Sequence, residues 1–306
     1  MRMLHKNNKE VALVLSSGGA RGYAHIGAIE ELQRQGYAVT SVAGTSMGAL
    51  VGGMFAAGHL DDVSRWLKSL TRWQVLSLAD FTLSRTHLAN ADRVLDAMRQ
   101  IVPDVRIEHL PLPYCAIAAD IKNQHEVVFD HGSLYEAIRA SISLPSFFKP
   151  VEDEGRTLMD GGLVNPLPLN RVARHPGDLL VAVNVNAPVS PQVNALRRRA
   201  WRILDHERSK GVQRYLPSTQ GLENNHISLL AEAFSMSIVQ LSQIMLERHT
   251  PDILVEVPVN RFDATYDQAE RIIRYGQRKT REAIMQHRLL QHEQSYAAGQ
   301  QNPLTH

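Results

Sequence analysis

Residues 38–58 read AVTSVAGTSMGALVGGMFAAG. An apolar run of strand length, Ala38 to Gly44, gives way to Thr45-Ser46 and then to small and apolar residues of helical character over 47–57. A serine between Gly44 and Gly48, at a strand-to-helix junction, has the form of a nucleophile elbow. The two glycines remove side chains that would crowd a sharp turn. The helix N-terminus, with the Met47 backbone N–H, favours negative charge on an oxyanion beside Ser46. The same string also suits a plain Gly-rich turn, so its neighbours decide the reading.

Before it, VALVLS (11–16) is a continuous apolar run of the kind buried on both faces of a parallel sheet. Gly18, Gly19 and Gly22 follow. Then Ala24, Ala28, Ile29 and Leu32 recur at helical spacing, and Gly36 closes that helix. Strand, helix, strand and helix in succession predict a parallel α/β sheet. After it, amphipathic helices are expected over 61–70 and 91–101. A buried strand follows at 114–120, with a hairpin return at 125–130. Residues 133–142 read as a helix stopped by Pro145. Strands are expected at 156–162, 179–185 and 252–257, and helices at 227–248 and 265–290. The last 15 or so residues are polar and read as frayed.

The 306 residues, 44% hydrophobic and 21% charged, have the balance of a globular protein with a sizeable core. A net charge of +2 gives no argument for nucleic acid as a partner. Cys115 is the only cysteine, which excludes an intrachain disulfide and fits a reducing compartment. The N-terminal apolar run is too short for a signal peptide, and no stretch has the length of a membrane span. A cytoplasmic chain is expected. The segment 190–226 stands apart: within 197–214 it carries seven Lys/Arg against Asp205 and Glu207, followed by the turn-rich PSTQGLENN. It reads as a mobile basic insertion, either a solvated face or a peripheral contact with anionic lipid at the inner face of the membrane.

A catalytic serine needs a base. A Ser-acid-His hydrolase places several strands before its nucleophile, and one strand–helix unit is too little chain for that topology. His175, His206, His226 and His249 stand in no recognisable context. In LMDGGLVNPLP (158–168), Asp160 ends an apolar strand and enters a Gly161-Gly162 turn. Such a carboxylate is an ordinary turn residue, or a base if it is held within hydrogen-bond reach of Ser46. SSGGARGYAHIG (16–27) supplies backbone N–H groups suited to a phosphate or an oxyanion. A dinucleotide site would require an acidic residue at the end of the second strand. That strand ends Val42-Ala43-Gly44, which favours the oxyanion role. Arg21 suits either a substrate phosphate or an anchor for the loop. No cluster has metal-ligand spacing; His125 and His131 flank the expected hairpin and read as exposed polar residues.

SGGARG, GTSMG and DGG, in that order and spacing, resemble the patatin-like phospholipase family, and most closely its bacterial members related to the neuropathy-target-esterase catalytic domain. AIRASISLPSFFKPV (137–151) is similar to the family's segment between nucleophile and acid. The likeness spans about 8–290 and implies one patatin-like domain over 1–306, a three-layer α/β/α sandwich with a mainly parallel central sheet. It implies a Ser46–Asp160 dyad that cleaves acyl esters of phospholipids or lysophospholipids through an acyl-enzyme, without metal or cofactor. Gly18 and Gly19 would form the oxyanion hole together with Met47. Arg21, Gly22, Gly44, Gly48, Gly161 and Gly162 would be its motif support. Many members carry three glycines where this chain has Ser17-Gly18-Gly19. Acyl transfer to another acceptor uses the same intermediate and stays open, as does a membrane-associated regulatory protein with little turnover.

Overall fold

The computed structural model describes residues 9–69, 92–145, 148–192, 226–262 and 268–300. Most of the basic insertion, including 197–214, lies outside the described residues.

The first strand, β1 (Glu10–Leu15), is central. On one flank it pairs in parallel with β2 (Ala38–Thr45), which pairs in parallel with β3 (Tyr114–Asp120). On the other it pairs in parallel with β7 (Leu179–Ala187), which pairs in parallel with β8 (Ile253–Pro258). Three short strands join antiparallel around β3: β4 (His125–Phe129), β5 (Val151–Asp153) and β6 (Arg156–Asp160). The hairpin expected at 125–130 is β4 against β3. β5, only three residues long, has no periodicity to announce it in the sequence.

The apolar runs are buried on both faces, as expected of parallel strands covered twice. Val11, Leu13 and Leu15 face a core shared with the helices α1 (Tyr23–Arg34), α2 (Met47–Ala56), α3 (Leu60–Ser69), α4 (Asp92–Arg99) and α5 (Leu134–Ser141). Ala12 and Val14 face the opposite core, closed by Leu167, Leu169 and Val172 and by Met245 and Leu246 of α6 (His226–Arg248). A mostly parallel sheet with helices on both faces is the α/β architecture expected.

The long helix α7 (Ala269–Gln300) packs along α1 through Ile272, Ile273 and Ile284. It runs on to Gln300, past residue 290 where the sequence suggested fraying. Residues 291–296 are helical yet exposed. Their polarity marks the absence of a packing partner, while their Gln, Glu and Ala content keeps helical propensity.

Candidate active site

The register of β3 brings Ser46 and Asp160 together. Ile117 pairs with Val128 of β4 on one edge and with Thr45 of β2 on the other. Ala118 pairs with Val127 of β4 and with Asp160 of β6. Hence β2 and β6 share an edge of β3, and β6 enters one residue beyond the point where β2 leaves. Residues 46 and 160 become neighbours although 114 positions separate them in sequence.

Ser46 is the pivot between β2 and α2. Its backbone sits at φ 56°, ψ −122°, a strained conformation for a residue with a Cβ, costing about 1–3 kcal/mol. The turn is tight: a Cβ on Gly44 would stand 2.4 Å from the Gly48 carbonyl oxygen, and one on Gly48 2.3 Å from that of Leu15. Side chains at either position would push the helix off the strand ends. The Ser46 N–H donates to Ser141 Oγ at 2.8 Å, and Ser141 Oγ donates to the Ile117 carbonyl at 2.6 Å. The elbow is thereby tied to the end of α5 and to β3.

Ser46 Oγ donates to Asp160 Oδ2 at 2.5 Å, and the Gly162 N–H donates to Oδ1 at 2.8 Å. Asp160 is 1% exposed and Ser46 8%. No cation faces the carboxylate among the described residues. Burial pushes its pKa up to about 6, against the lowering effect of the bonds from Ser46 and Gly162. The Asp160 backbone is fixed as well: its N–H donates to the carbonyl of Ser143, two residues past the end of α5, at 3.0 Å. Gly161 packs over β3, where a Cβ would meet the Ile117 carbonyl oxygen at 2.3 Å.

The glycine loop leaves β1 beside the elbow, because Leu15 pairs with Gly44. Arg21 anchors it: Nε donates to the Val185 carbonyl at 3.0 Å and the guanidinium donates to Asn186 Oδ1 at 3.2 Å. Of the two roles the sequence allowed Arg21, the loop anchor is the one these bonds serve. Asn186 Nδ2 donates to the Ser17 carbonyl at 2.7 Å and to Ser17 Oγ at 3.1 Å. The Ser17 N–H donates to the Pro166 carbonyl at 2.8 Å, so residue 17 spends its amide on the fold. Gly19 takes φ 53°, and the N–H groups of Gly18, Gly19 and Met47 have no protein acceptor among the described residues. The Met47 side chain packs where a Cβ on Gly22 would stand.

His25 escaped the sequence reading. It is fully buried, and Nε2 donates to the Ser16 carbonyl at 2.8 Å, one residue before the loop begins. Burial lowers its pKa to about 4, against the raising effect of that bond, so the ring is neutral with its proton on Nε2. The signal was present: His25 stands three, four and seven positions before Ala28, Ile29 and Leu32, on the apolar face of α1. His175 and His249, by contrast, precede β7 and β8 and lie at the opposite ends of the strands. His226 falls at the start of α6, and His206 lies outside the described residues. Among the described residues no group of three or more His, Cys, Asp or Glu is placed to hold a metal ion.

The family model described as patatin-like phospholipase matches residues 13–173, just over half of the chain. Uncharacterised NTE family proteins of Mycobacterium tuberculosis and Mycobacterium bovis are 47% identical over 186 residues, which is 61% of this chain and 52% of theirs. Neuropathy target esterase of Drosophila melanogaster is 33% identical over 184 residues, covering 58% of this chain and 13% of that protein. The chain thus spans about half the length of its mycobacterial relatives and a small part of the fly protein. The solved structure of VipD from Legionella pneumophila overlaps 92% of this chain and 67% of its own, at TM-score 0.46 and 16% identity. The extent of the family match identifies the chain as a member of the patatin-like phospholipase family.

Proposed function

We propose that the protein is a serine hydrolase that cleaves acyl esters of phospholipids or lysophospholipids with a Ser46–Asp160 dyad. The observation that carries this reading is the 2.5 Å bond from Ser46 Oγ to a buried carboxylate that no cation among the described residues neutralises. A carboxylate with a pKa of about 6 is ionised at neutral pH, yet is basic enough to accept a hydroxyl proton in a transition state. The relatives named neuropathy target esterase support ester chemistry for this chain.

In this mechanism Asp160 takes the Ser46 proton as Oγ attacks the ester carbonyl. The amides of Gly18, Gly19 and Met47 receive the oxyanion, each such donor contributing about 3 kcal/mol in comparable sites. Asp160 then protonates the departing alcohol, leaving an acyl group on Ser46. A water molecule gives one proton to Asp160 as it attacks the acyl carbon; Asp160 returns that proton to Ser46 Oγ as the acyl–oxygen bond breaks, and the fatty acid is released. His25 and Ser141 hold the loop and the elbow and do not exchange protons with substrate. The test is a panel of phospholipid, lysophospholipid and acylglycerol substrates, with a fluorophosphonate probe of the serine. The wild-type protein should release fatty acid and be labelled at Ser46, and Ser46→Ala should do neither. Equal hydrolysis by Ser46→Ala would overturn the reading.

The basic stretch 197–214 extends the proposal to a peripheral contact with anionic lipid. Seven cations over 18 residues attract a negatively charged leaflet, and salt screens that attraction beyond about 8 Å at physiological strength. Replacing Arg197, Arg198 and Arg199 by serine should weaken binding to phosphatidylglycerol vesicles at low salt and make little difference at high salt. No helix among the described residues is long and apolar enough to cross a membrane.

A further inference from the structure

Helix α6 connects the candidate dyad to the surface. Its Ile238 is buried, with Cδ1 3.3 Å from where a Cβ on Gly162 would stand; Gly162 is the residue whose N–H holds Asp160. Seven and eight residues later, Met245 and Leu246 pack beneath the sheet against the core that holds Ala12, Val14 and Ala182. The helix therefore descends past the dyad, and its first turns project beyond the strand ends. The nine steps from Leu229 to Ile238 span about 14 Å of helix.

Those turns carry little of what keeps a helix in water. Leu229 is 65% exposed, Leu230 60% and Met236 65%, and Ile244 is exposed further along. Between His226 and Leu246 the only Asp, Glu, Lys or Arg is Glu232. A cluster of large exposed apolar side chains beside a catalytic wall marks an interaction site. A second copy of the chain is a poor occupant, since a stable dimer buries about 800 Å² and 20–30 residues a side. Of the residues over 229–244 whose exposure is described, eight are exposed. A lipid surface needs no such area, because each Leu or Met that enters the acyl region adds its own hydrophobic gain.

We infer that this face of α6 docks on a phospholipid bilayer and presents lipid to Ser46. The delivery step rests on the hydrolase reading; the docking step is measurable without it. The experiment compares the wild type, Ser46→Ala, the double variant Leu229→Ser/Met236→Ser, and the control Leu289→Ser/Leu290→Ser on the exposed part of α7. Each is floated with phosphatidylcholine vesicles. Each is also assayed on those vesicles and on a water-soluble short-chain ester, with melting curves to confirm folding.

The α6 variant should lose vesicle partitioning by about tenfold or more, with vesicle hydrolysis falling in step while the soluble ester is cleaved as before. Ser46→Ala and the α7 control should float like the wild type. Unchanged flotation of the α6 variant, or an equal loss in the α7 control, overturns the assignment. So does a wild type that does not float, or an α6 variant that only dissolves an oligomer in sedimentation. A wild type that floats through α6 but cleaves neither substrate leaves docking standing and sinks the hydrolase reading instead.

Discussion

Asp120 and Asp160 lie on one antiparallel ladder, β3 against β6, and each is 1% exposed. Both end a strand and enter a turn, and both cap that turn with the side chain. They part in what faces the carboxylate. Asp120 accepts from the N–H groups of Lys122, Asn123 and Thr157 and from Asn123 Nδ2, at 2.7–3.3 Å. Burial alone would raise its pKa, but those bonds outweigh it and hold the carboxyl down at about 2. Asp160 accepts from one amide and one hydroxyl, burial wins, and its pKa rises to about 6. The turn sequence is therefore not what sets the pKa of a buried carboxylate; the number of donors around it is.

The largest expected effects break the pair apart. Asp160→Asn should cut ester hydrolysis by at least about 10³-fold, as loss of a catalytic base does elsewhere, and Ser46→Ala at least as much. Asp120→Asn should leave turnover near wild type. An Asp120 variant as inactive as the Asp160 one would erase the distinction. A smaller loss is expected at Ser141, which accepts the Ser46 N–H while the carbonyl two residues on holds Asp160. Ser141→Ala leaves a buried N–H unpaired in a strained turn, and misplacing the nucleophile should lower kcat by about 10–100-fold with KM little changed. A fall confined to KM would show that Ser141 shapes binding instead. The pH profile sharpens the contrast further. The base must be ionised, so kcat/KM should be level above pH 7 and fall about tenfold per unit below a pKa of about 6. An acid limb in the ordinary aspartate range, near pH 4, would mean that Asp160 is not the titrating group.

Much of this was legible in the chain because it is local. The apolar run of β1, the small residues of α2 and the Gly44-Thr45-Ser46-Met47-Gly48 turn each carry their meaning within about ten positions. The pairing of Ser46 with Asp160 was legible only through family resemblance. No spacing rule tells that β6 takes up the edge of β3 where β2 leaves it. The clamp from Ser141 and the carbonyl of Ser143 was invisible for the same reason, as was the anchoring of Ser17 by Asn186 across 169 residues. His25 was visible as a pattern but lacked a reason until its ring met the Ser16 carbonyl. The helical continuation to Gln300 is not legible in the sequence, because polarity reports packing, not backbone conformation.

The smallest expected effect is on stability, and there the two aspartates should differ in sign. Asp160 binds its proton more tightly folded than unfolded, with a pKa of about 6 against 3.8. Its contribution to stability is fully present below pH 3.8 and is lost as pH rises through 6, a cost on the order of 3 kcal/mol above that. Asn at 160 does not titrate, and its amide can still accept from Gly162 and donate to Ser46 Oγ. Asp160→Asn should therefore melt several degrees above wild type at pH 8, with the gap closing by pH 4. Asp120 is the reverse case: its lowered pKa contributes stability above 3.8 that is lost as pH falls through about 2. Asn at 120 gives up a carboxylate oxygen that its donors need, so Asp120→Asn should melt below wild type at pH 8. Thermal melts of both variants across pH 4–8 check this. An Asp160→Asn protein that melts below wild type at pH 8 would mean that its carboxylate is stabilised in place, as that of Asp120 is. The strain would then have to be sought in the Ser46 backbone alone.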